Sequence, residues 1–351
     1  MDSLTHAAIG ACLGEALLSK KVGRRALLWG ALAQNLPDID TVAALWLPPH
    51  QNLLVHRGIT HSFLLALIMA VLLTLVAGRW HQKRQIPWPQ FFLFFLLQLL
   101  VHDLLDACNA YGTGLLLPFS SERFSFHLLY VADPLFSLWP CLGALALLLF
   151  RKASSGHRLK WALWGLVPAG LYLGYAVFNR QQVQSHLEAS LRHRQLKAAS
   201  YFVTPTPFNN WLWYAVVATD TGYYIGYRSV FWPAATKTVL RFYPQQEKLL
   251  TPVDNPGELQ DLRQFASGFY TVERWNDTLV LNVLRFGQML GWQEEKARFT
   301  FHYFLQPARA DNRLVMQRGR MRGWNWETLH AMGRLIFVAP EQKFLRREPE
   351  K

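Results

Sequence analysis

Long apolar runs crowd the first half of the chain, and alternation replaces them in the second. Four runs approach or reach the length that crosses a bilayer: 62–78, 91–108, 134–150 and 161–178. A bilayer core takes about 20 apolar residues as helix, with tolerance for shorter spans. Two weaker stretches, about 4–18 and 26–36, precede them. Both are short, rich in Ala and Gly and broken by polar residues, which suits helices packed inside a bundle better than helices facing lipid. Pro168 predicts a kink in the last run.

Residues 179–199 extend that helix as a polar, amphipathic segment. From Tyr201 the period becomes two. "WLWYAVVA", "TDTG" and "YYIGYRSV" read as strand, turn and strand, as do "GFYTVER", "WND" and "TLVLNVLRFG"; "RFTFHYFL" follows. "GELQDLRQFAS" and "WETLHAMGRL" read as short helices. The pattern predicts an α-helical membrane bundle of about six segments, then a soluble α+β domain rich in antiparallel strands. The expected boundaries are 1–179 for the bundle, 180–200 for a helical linker and 201–351 for the soluble domain. The Trp and Tyr density there suits a β core more than a carbohydrate or headgroup surface. His302 and His330 fall in no pattern and receive no role.

Charge changes the picture next. The 351-residue chain carries a formal +13, which raises nucleic acid as a partner. Position argues against it. Of thirteen Lys and Arg in residues 1–179, eleven lie in "SKKVGRR", "GRWHQKR" and "RKASSGHRLK", each between two apolar segments. Those are the short basic loops of the positive-inside rule. All three turns then face the cytoplasm, and both termini face the other side. No basic region precedes the first apolar stretch, so a signal peptide is not expected. Cys12, Cys108 and Cys141 lie in apolar helical patterns without CxxC spacing, which excludes a disulfide framework and a thiolate zinc site.

The acids and histidines supply the chemistry. Of the eight acids in residues 1–179, all but Glu15 fall near the non-cytoplasmic ends of segments, as do His6, His56, His61, His102 and His127. In "LLQLLVHDLLDACNAYG", His102, Asp106 and Asn109 share one helical stripe with no Lys or Arg to pair them. Ionisable groups inside a membrane helix are costly and mark function. "LTHAAIG" puts His6 one turn after Asp2, and "NLPDID" puts Asp38 and Asp40 where the second helix breaks. In "HRGITHS", Gly58 turns the backbone, Thr60 or Ser62 caps the next helix, and His56 and His61 flank Arg57. Asp133, in "VADPLF", opens the fifth of the six segments on the same side.

Imidazole with carboxylate suits zinc, with manganese and iron as the other candidates. The metal-ligand set expected is His6, Asp38, His56, His61, His102, Asp106 and Asp133, enough for one or two divalent ions. Arg57, Asp40 and Asp103 are the candidate catalytic groups. Arg57 is suited to bidentate phosphate binding, and paired metals clamp the two oxygens of a phosphoester in displacement. HExxH, GxSxG and Walker A are absent, which disfavours zincin, α/β-hydrolase and P-loop chemistry.

In order, "DSLTHAAIGACLGE", "PDID", "HRGITHS", "HDLLDACNAYGTGLLLPFS" and "DPLF" resemble the YdjM-like, LexA-regulated family of bacterial inner-membrane metal-dependent hydrolases. The resemblance covers residues 1–150, and "TPTPFNNWLWYAVVATDTGYYIGY" looks like the longer members. It implies an inner-membrane, multi-pass protein, phospholipase-like chemistry by metal-activated water, and SOS-type regulation. It is also similar to the zinc-dependent phospholipase C group, whose HxxxD pair "HDLLD" echoes. One departure is "FSFHLLYVADP", where the family pattern leads to an acid near His127. The expected substrate is a membrane lipid or lipid-linked phosphoester, with the site and the C-terminal domain on the periplasmic side. The competing readings are a metal-ion or proton transporter and a non-catalytic envelope scaffold with a structural metal.

Overall fold

The computed structural model describes residues 1–150, 152–294, 297–306, 312 and 323–340. Arg151, in the third basic cluster, lies outside them. The chain divides into two units, Met1–Ala176 and Val177–Lys351.

The first unit is helical. Helix α1 (Ser3–Val22) starts at Asp2, whose carboxylate accepts from the Thr5 N–H, and ends at Gly23 with φ +67°. Helix α2 (Arg25–Asn35) packs back against it. The contact is glycine-dependent: a Cβ on Gly30 would sit 1.9 Å from the Gly10 carbonyl oxygen. After α2, Pro37 opens a 3-10 segment, Pro37–Leu45, and helix α3 (Pro49–Val55) follows. A 3-10 turn, Ile59–His61, leads into α4 (Phe63–Trp80), where Ser62 caps by accepting the Leu65 N–H. Helices α5 (Trp88–Ala107), α6 (Pro134–Leu149) and α7 (Ser155–His193) complete the set. Pro168 lies inside α7, which stays helical through it.

Among the described residues three helices, α4, α5 and α7, are long and apolar enough to cross a membrane; α6 is apolar but shorter. Helix α4 shows the side-chain logic. It buries small residues, Ala66, Ala70, Thr74 and Ala77, while Leu67, Leu72, Leu75 and Val76 stay exposed. A water-soluble helix turns its large apolar residues inward; a helix among lipids brings small residues to its neighbours. The buried stripe meets Phe91, Phe95 and Leu99 of α5 and Leu18, Ala26 and Ala33 of α1 and α2.

The second unit holds two antiparallel sheets. Strands β1 (Ser200–Pro205), β2 (Leu212–Ala218), β3 (Gly222–Ser229) and β4 (Leu240–Pro244) pair in sequence order. Strands β5 (Tyr270–Trp275), β6 (Thr278–Gln288) and β7 (Phe299–Gln306) form the other sheet. Helices α8 (Pro256–Ala266) and α9 (Trp326–Phe337) are capped by Asn255 and Asn325. Trp213, Tyr214 and Tyr223 are buried, so these aromatics fill sheet cores. The last turns of α7 belong to this unit: Val183, Leu187 and Leu191 pack on Val203, Trp213 and Val217.

Candidate metal centre

Five segments of the first unit bring the polar groups together: the start of α1, the end of α2 with the 3-10 segment after it, the His56–His61 loop, and the end of α5. Each contributes at least one polar residue. His6, His61, His102, Asp103 and Asp106 are all fully buried.

The hydrogen bonds assign the imidazole tautomers. Gln34 donates its side-chain N–H to the Gln98 carbonyl at 2.8 Å, so its Oε1 is the atom left to accept from His6 Nδ1, at 3.2 Å. His102 Nδ1 donates to the Gln34 backbone carbonyl at 2.5 Å. Thr60 donates its hydroxyl to Asp40 Oδ2 at 2.6 Å and accepts from His61 Nδ1 at 3.0 Å. A neutral imidazole that donates from Nδ1 keeps its lone pair on Nε2. In the neutral rings all three Nε2 atoms therefore carry lone pairs, and they point at acceptors or at one another. His6 Nε2 lies 3.1 Å from Asp106 Oδ1. His61 and His102 meet Nε2 to Nε2 at 3.1 Å. His61 Nε2 is 3.4 Å from Asp106 Oδ2 and 3.5 Å from Asp38 Oδ1.

Lone pairs facing lone pairs and carboxylates repel unless a cation stands among them. Zinc–ligand bonds of about 2.0–2.1 Å in a tetrahedron put donors roughly 3.3 Å apart, close to the spacings here. Asp38, His61, His102 and Asp106 form a group able to hold a metal ion. Their outer bonds, from Nδ1 to carbonyl, hydroxyl and carboxylate, are the partners that metal-ligating histidines use. Asp38, Asp40 and His56 form a second such group, sharing Asp38 with the first. The residues present fit a divalent ion.

Positive groups surround Asp106. Arg57 Nε stands 2.8 Å from Asp106 Oδ2, and its Nη1 donates to Asn109 Oδ1 at 2.8 Å. The Met1 amino group also contacts Asp106 Oδ1. The Arg57 guanidinium lies over the Tyr111 ring at 5.1 Å, and burial lowers its pKa to about 10, leaving it cationic at neutral pH. Asp40 accepts His56 Nδ1 at 2.9 Å on one oxygen; on the other it accepts the Arg57 backbone N–H at 2.9 Å and the Thr60 hydroxyl. Burial opposes the charge on Asp40, but His56 and His61 hold its carboxyl well below the usual range. Burial likewise opposes ionisation of Asp38, yet a protonated His61, whose Nε2 then faces it as a donor, brings it down to about 2.

Of the residues singled out in the sequence, His6, Asp38, Asp40, His56, Arg57, His61, His102 and Asp106 meet here. Asp103, next to His102 on α5, is buried with no hydrogen-bond partner on either oxygen among the described residues. Asp133 is not brought in: it caps α6 and accepts the Tyr172 hydroxyl at 2.9 Å. Asp2 caps α1 instead of joining its helical neighbour His6. Asn109 lies just past the end of α5, where it holds Arg57 rather than extending the helical stripe.

Sequence reasoning passed over Gln34, Gln98, Tyr111 and Arg123. Arg123 donates to the carbonyls of Leu54, His56 and Gly112, tying the His56 loop to the segment after α5. A signal existed for the glutamines, amides set among apolar helix residues, and for Arg123, one of only two Lys or Arg outside the basic clusters of residues 1–179.

A family model described as YdjM inner membrane protein matches residues 1–183. Inner membrane protein YbcI of Escherichia coli K12 is 30% identical over 183 residues, 51% of this chain and 98% of the relative. Uncharacterized protein YfhP of Bacillus subtilis 168 is 27% identical over 238 residues, 64% of this chain and 68% of the relative. No solved structure matches the chain.

Proposed function

The chain belongs to the YdjM inner membrane protein family, and on that footing we propose that it is a membrane-bound, metal-dependent hydrolase of phosphoesters, with a lipid or lipid-linked substrate. The observation that carries this reading is the convergence of three imidazole lone pairs on Asp38 and Asp106, beside a buried arginine. His61, His102, Asp38 and Asp106 hold the ion, with His6 against Asp106. Asp38 also belongs to the neighbouring group with Asp40 and His56, which suits a second ion. Zinc is the metal this donor set favours. A bound divalent ion supplies a Lewis acid for a phosphoryl oxygen and activates water.

The chain's own residues do the rest. Asp40 and Thr60 fix the His61 ring, and Gln34 fixes His6 and His102 from side chain and backbone. Arg57 is oriented by Asp106 and Asn109, and its Nη2 meets no hydrogen-bond partner among the described residues. That nitrogen is the donor offered to phosphate. Asp38 and His56 are partly exposed and form the mouth. The buried Asp103 carboxyl, unpartnered beside the ligands, takes or returns the proton of the hydrolytic water.

Glu15 favours hydrolysis over ion transport. It is the one acid of residues 1–179 deep on the opposite side, and Arg158 already engages it through both oxygens, at 2.9 and 2.5 Å. A paired carboxylate there offers no step for a passing cation.

Arg57 provides the test. In detergent-purified protein, Arg57→Ala should retain metal and lose about 100-fold or more in phosphoester hydrolysis, as removal of a charge-stabilising donor does elsewhere. Arg57→Lys should recover only part, since ammonium lacks the planar fork. Full activity in Arg57→Ala would remove the phosphate role. Hydrolysis that survives chelation would remove the metal.

A further inference from the structure

We propose that the second unit rests on the bilayer surface through the outer face of α9 and the loop carrying Phe231, with membrane lipid as the occupant of that face. The proposal rests on α7 spanning the membrane.

Helix α9 has two apolar faces. The inner one, Met332 and Ile336, packs on Leu212. The outer one has no cover among the described residues: Trp326 is 80% exposed and Phe337 66%, with Leu329 and Val338 also exposed. Residues 326, 329 and 337 fall on one side of a helix. Phe231 continues the patch, stacked on Phe337 with ring centroids 5.3 Å apart. A contiguous apolar patch of this kind marks a contact surface.

The chain itself indicates what covers it. The apolar stretch of α7 ends at Phe178, and the next turn ties down the loops of the second unit. Asn179 donates to the Asn210 carbonyl at 2.8 Å, and Gln182 donates to the Val230 carbonyl at 3.1 Å. The same loop fixes the end of α9: Ser229 donates to the Ile336 carbonyl at 2.6 Å, and Trp232 to the Leu335 carbonyl at 2.8 Å. The loop carrying Phe231, and through it the end of α9 with Phe337, is thereby tied to the turn of α7 that follows its apolar stretch. For a spanning helix that turn lies at the headgroup layer. Aromatic side chains concentrate at that layer, and a helix that buries an apolar face there lies in its plane.

A benzophenone photo-crosslinker placed singly at Trp326, Phe337, Leu171 or Gln264 of the full chain, in native membrane vesicles, tests this. Leu171 is 70% exposed within the apolar stretch of α7; Gln264 is an exposed polar position of α8. The expected result is lipid adducts at Trp326 and Phe337 several-fold above those at Gln264, together with adducts at Leu171. Adducts at Leu171 with only background at Trp326 and Phe337 would overturn the surface contact and leave α7 in the membrane. Adducts there to a second protein chain in place of lipid would do the same. Failure at Leu171 would overturn the spanning reading and the inference with it.

Discussion

Asp40 spends both oxygens on His56, Thr60 and the backbone N–H of Arg57, whereas Asp38 keeps an oxygen 3.5 Å from His61 Nε2. Two acids one residue apart in "PDID" thus have different surroundings. Their spacing foretold different directions, because i and i+2 do not share a helical face; it could not say which acid meets which histidine. His102 and Asp106 were legible as an i, i+4 pair in an apolar helix. Gln34 was not, since a single amide gives no pattern and its value comes from where α2 ends against α5. Protonation separates the metal-free and metal-loaded states at this scale. Burial alone lowers His61, but bonds to Asp38 and Asp40 outweigh it and raise its pKa; burial dominates at His56 and lowers it. In the metal-free protein, His61 therefore contributes stability that is full below its unfolded pKa and lost as pH rises through the raised folded one. His56 acts with the opposite sign. Metal binding needs the His61 lone pair, so the ion competes with a proton up to a pH above the ordinary histidine value. The stability gap between loaded and metal-free protein, followed by melting, should therefore widen from pH 5.5 to 8.5, by up to about 1.4 kcal/mol per displaced proton per pH unit. A constant gap would show that no imidazole proton is displaced.

Helices α1 and α2 are the elements on which the site depends most. The first apolar stretch reads shorter than Ser3–Val22, because Lys20 and Lys21 interrupt the hydropathy without breaking the helix; the second, 26–36, is displaced by one residue from Arg25–Asn35. The four long runs were legible from length and composition alone. The 3-10 segments around Asp38 and His61 were not: they follow Pro37 and Gly58, which announce a break but not the geometry after it. Strands β1 and β4, short and ending in proline, show less alternation than the β2–β3 hairpin. The α1–α2 contact gives a prediction. Gly30→Ala places a methyl against the Gly10 carbonyl and must separate the helices. It should destabilise the protein by ~1–3 kcal/mol, the range for overpacking. Gln34 lies one turn further on, so bound metal should fall as well. Gly170→Ala on α7, where a Cβ meets nothing within 4 Å, should melt at or above the wild-type temperature. Equal melting of the two variants in detergent would refute the close contact.

Across the whole molecule, the separation of basic loops from the acid and histidine ends fixes the direction we propose for the chain. In that direction the basic clusters after α1, α4 and α6 would face the cytoplasm, and the metal centre and residue 200 the outer side. A reporter active only in the periplasm should work when fused after residue 200 and fail within 151–160; the reverse would move the site to the cytoplasm. Sequence composition supports this direction because bilayers sort charge by position. It carried little about the second unit, whose aromatic residues are divided between buried sheet cores and an exposed face by packing that no periodicity shows. The claim on which all else turns is the metal centre, and elemental analysis of purified protein tests it most directly. Bound divalent metal should be present in wild type, fall sharply in His102→Ala and Asp106→Ala, and stay unchanged in His157→Ala, whose imidazole pairs with Ser154 at the start of α7. Equal metal content in all four proteins would contradict the account.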